Sequence, residues 1–244
     1  MMAPPRRKPP PPEIADAPAE PPPHYFGHRE RLRERLLAGG TEAMPDYELL
    51  EFLLFAARPR GDVKPLAKAL LARFGSLAGV FGAEREALAA VPGMGDASVA
   101  ALFAVREAGR RLLRADVQDR PVIGSWQKLL DYCMAASGFA ETEEFRLLFL
   151  DRKNVLIADE RQQRGTIDHA PVYPREVVKR ALALGASAII MVHNHPSGDT
   201  TPSKGDIEVT KAVAKAAAAV GVTVHDHVVI GRGRHTSFKS LGLL

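Results

Sequence analysis

The chain predicts an α/β (α+β) protein, with a small all-helical N-terminal domain followed by a mixed sheet flanked by helices. Two patterns and a break between them carry this expectation. Residues 24–115 read as helices, with charged faces and helix-start signals. Residues 122–244 alternate short apolar runs with helical stretches, the pattern of strands and helices layered on one another. Residues 116–121 (DVQDRP) separate the two and read as a linker. Residues 1–23 hold ten prolines and almost no large apolar side chains. They cannot bury a core and are expected to form a disordered or polyproline-like tail. A spacer is the plainer use of such a tail, and a proline-rich ligand for a partner domain is the other.

In the helical half, residues 29–37 have the charged face of an exposed helix. Pro45 suits the first position of a helix over residues 46–55. A third helix begins after Asp62 and runs over 64–74. The stretch from Val91 through Pro92, Gly93, Met94 and Gly95 into a helix resembles the hairpin of a helix-hairpin-helix motif. Glycines there let a backbone approach phosphate, and the following helix offers free N–H groups. Arg106, Arg110, Arg111 and Arg114 follow and can touch phosphates, so DNA is a candidate partner through residues 91–114. The bland reading is a tight interhelical turn and a solvated face, with Asp96 and Glu107 diluting the positive charge. No aromatic residues interleave with the arginines, which argues against a base-stacking platform.

In the second half, residues 125–134 predict a helix. Residues 145–151 and 155–158 predict two strands, joined by a hairpin-like turn at 151–154. A helix over 176–184 follows Pro174. Then comes the apolar run 186–192, read as a buried strand. A helix over 206–220 and a strand over 223–230 complete the set.

The buried strand leads into His193-Asn194-His195-Pro196-Ser197-Gly198-Asp199-Thr200-Thr201-Pro202-Ser203-Lys204-Gly205-Asp206. Residues i and i+2 of a strand share a face, so His193 and His195 converge and Asn194 points away. Pro196, Gly198 and Pro202 mark a loop. A helix starting at Ser203 carries Asp206 one turn in. Three ligands with an open fourth position are what a hydrolytic zinc requires, and His193, His195 and Asp206 would supply three. Ser203 and Asp206 also read as a capping box, and capping does not exclude metal binding.

The spacing His-x-His, seven residues, Ser, two residues, Asp resembles the JAMM motif of MPN+ metalloproteases at every position. The wider stretch around it resembles the bacterial RadC family. So do FRLLFLD at 145–151, Arg164-Gly165-Thr166, Pro174-Arg175-Glu176-Val177 and Asp226–Gly231. The N-terminal segments at 27–33 and 46–50 fit the same family, and the resemblance covers about residues 24–244. It implies an MPN-like fold in 122–244 and one zinc ion per chain. It also implies a glutamate upstream of the histidines that acts as general base. Glu143 is the first candidate for that base. Glu144 faces the opposite way once the strand has begun, and Glu160 is the third candidate. The RadC name has a DNA-repair history that does not establish a substrate.

Ser203 is a candidate to donate its hydroxyl to the oxyanion, to hydrogen-bond the zinc water or to cap its helix. Asp199 and Ser197 read as turn residues. Alternation places His225 and His227 on one face of their strand and Asp226 on the other. A second metal site there is one reading, and packing or a hydrogen bond to the zinc ligands is the favoured one. Arg232, Arg234 and Lys239 read as a basic rim or as ordinary soluble surface.

The expected function is a zinc-dependent hydrolase acting as a metallopeptidase or isopeptidase. The alternative is a DNA-structure-binding protein linked to DNA repair, with a structural or nuclease metal site. Other divalent metals also fit histidine and aspartate ligands. No apolar run approaches the roughly 20 residues of a membrane span, and no secretory signal is apparent. The single Cys133 cannot form an internal disulfide and reads as structural. The cytoplasm is therefore the expected compartment. A net charge of +4 and a pI near 9.3 permit nucleic-acid binding without requiring it.

Overall fold

The computed structural model describes residues 27–39, 44–118, 121–164 and 172–244. The proline-rich tail expected at 1–23 lies outside the described residues, as do residues 119–120 of the expected linker and Gly165-Thr166. The chain divides into two compact units, Met1–Thr41 and Glu42–Leu244. In the first, α1 (His28–Leu37) is a charged helix with Glu30 in its first turn and Arg35 in its last, the arrangement the helix dipole favours.

The second unit begins with helices α2 (Asp46–Ala57), α3 (Lys64–Phe74), α4 (Leu77–Gly82), α5 (Arg85–Ala89) and α6 (Asp96–Gln118). Their shared core is aliphatic, with Leu50, Leu54, Leu70, Val80, Leu88 and Leu102 buried together. Pro45 sits one position earlier than expected, as the extended cap before α2. The short helices α4 and α5 carry no long periodic pattern to betray them, although Ser76 caps α4 by accepting from the Gly79 N–H. The Pro92–Gly95 turn needs a left-handed residue, and Gly93 supplies it at φ +92°. Helix α6 continues through Asp116, Val117 and Gln118, three residues into the segment read as a linker. Val117 is buried against the sheet, which explains why the helix does not end sooner.

The sheet has strands β1 (Glu144–Leu150), β2 (Leu156–Arg164), β3 (Ala188–Asn194), β4 (Thr223–Gly231) and β5 (Arg234–Ser237), in the order β2-β1-β3-β4-β5. β1 runs antiparallel to β2 and β3. β3 and β4 are parallel. A parallel pair needs a crossover, and α9 (Lys204–Ala218) provides it. Helices α7 (Trp126–Ser137) and α8 (Pro174–Ala183) complete the layers. One face of the sheet, with Leu148, Leu150, Ile190, Val192 and Val228, packs on α7. The other, with Leu147, Phe149, Ile189 and Met191, packs on α8 and α9 through Val177, Ala181, Val213 and Ala217. β3 is central, and its seven residues are all buried, which is why it reads as an unbroken apolar run. Among the described residues, no helix is long and apolar enough to cross a membrane.

Cys133 lies buried on α7, and burial pushes its thiol up to about 12. The thiolate is the reactive form. Native protein at pH 8 is therefore expected to resist iodoacetamide and to be alkylated once unfolded. Mass spectrometry of the two samples checks this, and rapid native labelling would contradict it.

Candidate metal centre

His193 is the last residue but one of β3, His195 directly follows the strand, and Asp206 lies in the first turn of α9. The structure brings the three together. His193 Nε2 is 3.0 Å from His195 Nε2 and 3.3 Å from Asp206 Oδ1. His195 Nε2 is 3.6 Å from Asp206 Oδ2. Tetrahedral ligands about 2.0–2.2 Å from a zinc ion stand roughly 3.3–3.5 Å from one another, so these separations suit one ion. Among the described residues, this is the group of histidine and acidic side chains whose atoms meet within ligating range. The donor set of two imidazoles and a carboxylate fits zinc.

The loop between the histidines and α9 is held from both ends. The His195 N–H donates to the Ile230 carbonyl at the end of β4. Gly231 allows this approach, because a Cβ there would stand 3.0 Å from His195 O and from Gly198 Cα. Ser197 Oγ accepts from the Asp199 N–H, and Asp199 Oδ1 accepts from both Thr201 N and Thr201 Oγ1. These are turn-stabilising contacts, as read for both residues. Asp199 also offers its backbone carbonyl to His195 Nδ1 at 2.6 Å.

Ser203 and Asp206 form a full capping box. Ser203 Oγ accepts from the Asp206 N–H, and Asp206 Oδ2 accepts from the Ser203 N–H at 2.7 Å. Burial alone would raise the Asp206 pKa. The two imidazoles beside it outweigh that and hold the carboxyl well below its usual range. The Asp206 carboxylate, first among several causes, raises the His195 pKa, and Glu143 adds to the effect through its charge.

The three candidate bases differ in what surrounds them. Glu160 is clasped by Arg180 at 2.6 Å. Glu144 is buried and paired with Arg161 at 2.9 Å, with Arg146 at 3.8 Å. Glu143 forms no ion pair among the described residues. Phe145 is opposite His193 in the antiparallel register, and Glu143, two residues before Phe145, is near enough to His195 to act on it through its charge. Asn194 points to the opposite face, as expected, and has a role the sequence reading did not give it. Its Oδ1 accepts from the Glu144 N–H at 2.8 Å and its Nδ2 donates to the Thr142 carbonyl at 3.0 Å. Both peptide units flanking Glu143 are thereby tied to β3.

The expected alternation in β4 fails. Ile189 pairs with Val224, but Ile190 pairs with Asp226, so His225 is the extra residue of a bulge. His225 turns to Asn154 Oδ1 at 2.6 Å, on the side of Trp126 and Ile190. His227 alone reaches the metal face, where its Nε2 lies 2.8 Å from His193 Nδ1. Behind it, Thr210 Oγ1 is 2.6 Å from His227 Nδ1. Thr210 was not anticipated, although it stands four residues after Asp206, on the same helix face. Burial, with His193 beside it, keeps the His227 pKa well below the ordinary range.

The remaining cations separate. Arg232 lays its side chain against Gly198, and its N–H donates to the Gly138 carbonyl. Arg234 is near enough to lower the Asp199 pKa, a minor influence beside Thr201. Lys239 instead lies by His225, away from that rim. On α6, Arg106 donates to the carbonyls of Phe81 and Ala83, and Arg110 and Arg111 both hold Glu107. Three of the four arginines considered for phosphate contact thus have partners within the chain.

The UPF0758 N-terminal family matches residues 25–100, and the RadC-like JAB domain family matches residues 123–243. A UPF0758 protein of Rhodobacter capsulatus is 61% identical over 213 residues, spanning 87% of this chain and 100% of that protein. The mixed sheet, its His-x-His loop and these matches define a JAB-domain protein. The chain belongs to the RadC-like UPF0758 family.

Proposed function

We propose that this protein is a zinc-dependent peptidase or isopeptidase. The convergence of His193 Nε2, His195 Nε2 and the Asp206 carboxylate, with the charge of Glu143 near His195, carries the reading. A zinc ion held by these three residues supplies Lewis acidity that polarises a carbonyl and eases the deprotonation of water. Glu143, whose charge reaches His195, would accept the proton from attacking water and return it to the leaving amine. Ser203 uses an oxygen lone pair for its cap, which leaves its O–H free to donate to a developing oxyanion.

Purified protein is expected to contain about one zinc per chain. His193→Ala/His195→Ala is expected to contain none, and chelator-sensitive cleavage of peptide or isopeptide bonds should vanish with it. Elemental analysis and a peptide screen of the two proteins test this. Cleavage that survives in the double variant overturns the peptidase reading. The DNA-binding alternative has weaker support, because three of its four arginines are engaged within the chain. It requires salt-dependent binding to branched or nicked DNA.

A further inference from the structure

We propose that Thr210 and His227 form a hydrogen-bond chain that holds His193 in the one tautomer able to bind a metal through Nε2. The inference deepens the metal reading above and rests on it. The order of the hydrogens follows from the acceptor at the end of the chain. Thr210 Oγ1 lies 2.5 Å from the Asp206 carbonyl, which has no hydrogen to give. The single hydroxyl hydrogen of Thr210 goes there. Its oxygen then accepts from His227 Nδ1 at 2.6 Å, so that nitrogen carries the ring's hydrogen. A neutral imidazole has one N–H. His227 Nε2 is therefore bare and accepts from His193 Nδ1 at 2.8 Å. His193 Nε2 is left with a free lone pair, directed at His195 and Asp206. His195 reaches the same state by a shorter route, since its Nδ1 can only donate to the Asp199 carbonyl.

The reverse order would deprive the Asp206 carbonyl of the Thr210 hydrogen. It would also place a hydrogen on His193 Nε2, where the metal belongs. The rings are held against rotation as well. Phe145 stacks on His193 with an interplanar angle of 6°, and Phe238 stacks on His227 at 4.5 Å. His193, His227 and Thr210 are all buried, so water does not compete for these bonds. The chain starts at the backbone of one ligand residue, on α9, crosses β4 and ends at another on β3. It therefore sets the ligands on two elements with one device. Partners of this kind orient metal-bound histidines generally; here the pair and the direction of their hydrogens are specific to this site.

Two measurements test the proposal. The first is zinc affinity, by competition with a chromophoric chelator, for wild type, Thr210→Val and Thr210→Ser. Thr210→Val is expected to lose about 10–100-fold, the usual effect of removing such a partner. Thr210→Ser restores the hydroxyl and is expected to recover most of the affinity, which a merely structural role for the threonine methyl would not produce. The second is 15N NMR of histidine-labelled, metal-free wild type, with His193 and His227 both expected to be protonated at Nδ1. Thr210→Val with wild-type affinity, or His193 protonated at Nε2 alone, overturns the proposal. A wild type that binds no zinc would defeat the metal reading, while the NMR result would still decide the order of the hydrogens.

Discussion

Glu143→Gln is expected to keep its zinc and to lose about 10²–10⁴-fold in turnover, the usual contribution of a positioned general base. Glutamine matches the shape of the side chain and removes its ability to take a proton. The metal ligands do not depend on Glu143, so zinc content by elemental analysis should match wild type. Glu160→Gln is expected to retain most of its activity, because Glu160 already faces Arg180. Glu144→Gln is expected to act on stability, since it weakens a buried carboxylate paired with Arg161. Turnover of the three variants on a substrate that wild type cleaves separates the candidates. A loss in Glu144→Gln or Glu160→Gln equal to that in Glu143→Gln would remove the assignment.

The same three carboxylates show how far a sequence reaches. Which of them faces the metal is a matter of strand register, and register is set by pairing across the sheet. It becomes visible only when Phe145 is seen opposite His193. The cluster of His193, His195 and Asp206 was legible because each residue depends on local geometry: two histidines one residue apart at a strand end, and an aspartate that also serves as the third residue of a capping box. β3 and α9 were legible for the same reason, one by its apolar run and the other by its cap. β2 was expected to end at residue 158 and runs to Arg164. Its polar half is an edge strand held by backbone bonds to β1, so burial leaves no apolar signature there. β5 has only the residues RHTS and follows a two-residue turn. The face taken by His225 was misjudged because a bulge inserts one residue, and period-two reasoning has no means of counting it. The roles of Asn194 and Thr210 carry no local signal, because the partners they hold, Thr142 and His227, come from distant parts of the chain.

Asp206 offers the sharpest separation of binding from folding, because its carboxylate belongs to both the proposed zinc site and the capping box. Oδ2 accepts the Ser203 N–H in the capping box, while the same group meets His193 and His195. In Asp206→Asn the amide oxygen can still accept from Ser203, so the start of α9 is expected to stay in place. What is lost is the anionic ligand. Affinity for zinc is expected to fall by more than the roughly 100-fold that loss of a supporting partner costs. Asp206→Ala loses the ligand and the reciprocal cap together, which adds about 1 kcal/mol of destabilisation in the metal-free protein. Thermal melts with and without zinc distinguish the two variants. Wild type should gain stability with zinc concentration, by about 2.7 kcal/mol at a hundred times the dissociation constant. Both variants should show little gain, and metal-free Asp206→Asn should melt above metal-free Asp206→Ala. A zinc-dependent rise in either variant equal to that of wild type would mean that Asp206 serves only as the helix cap.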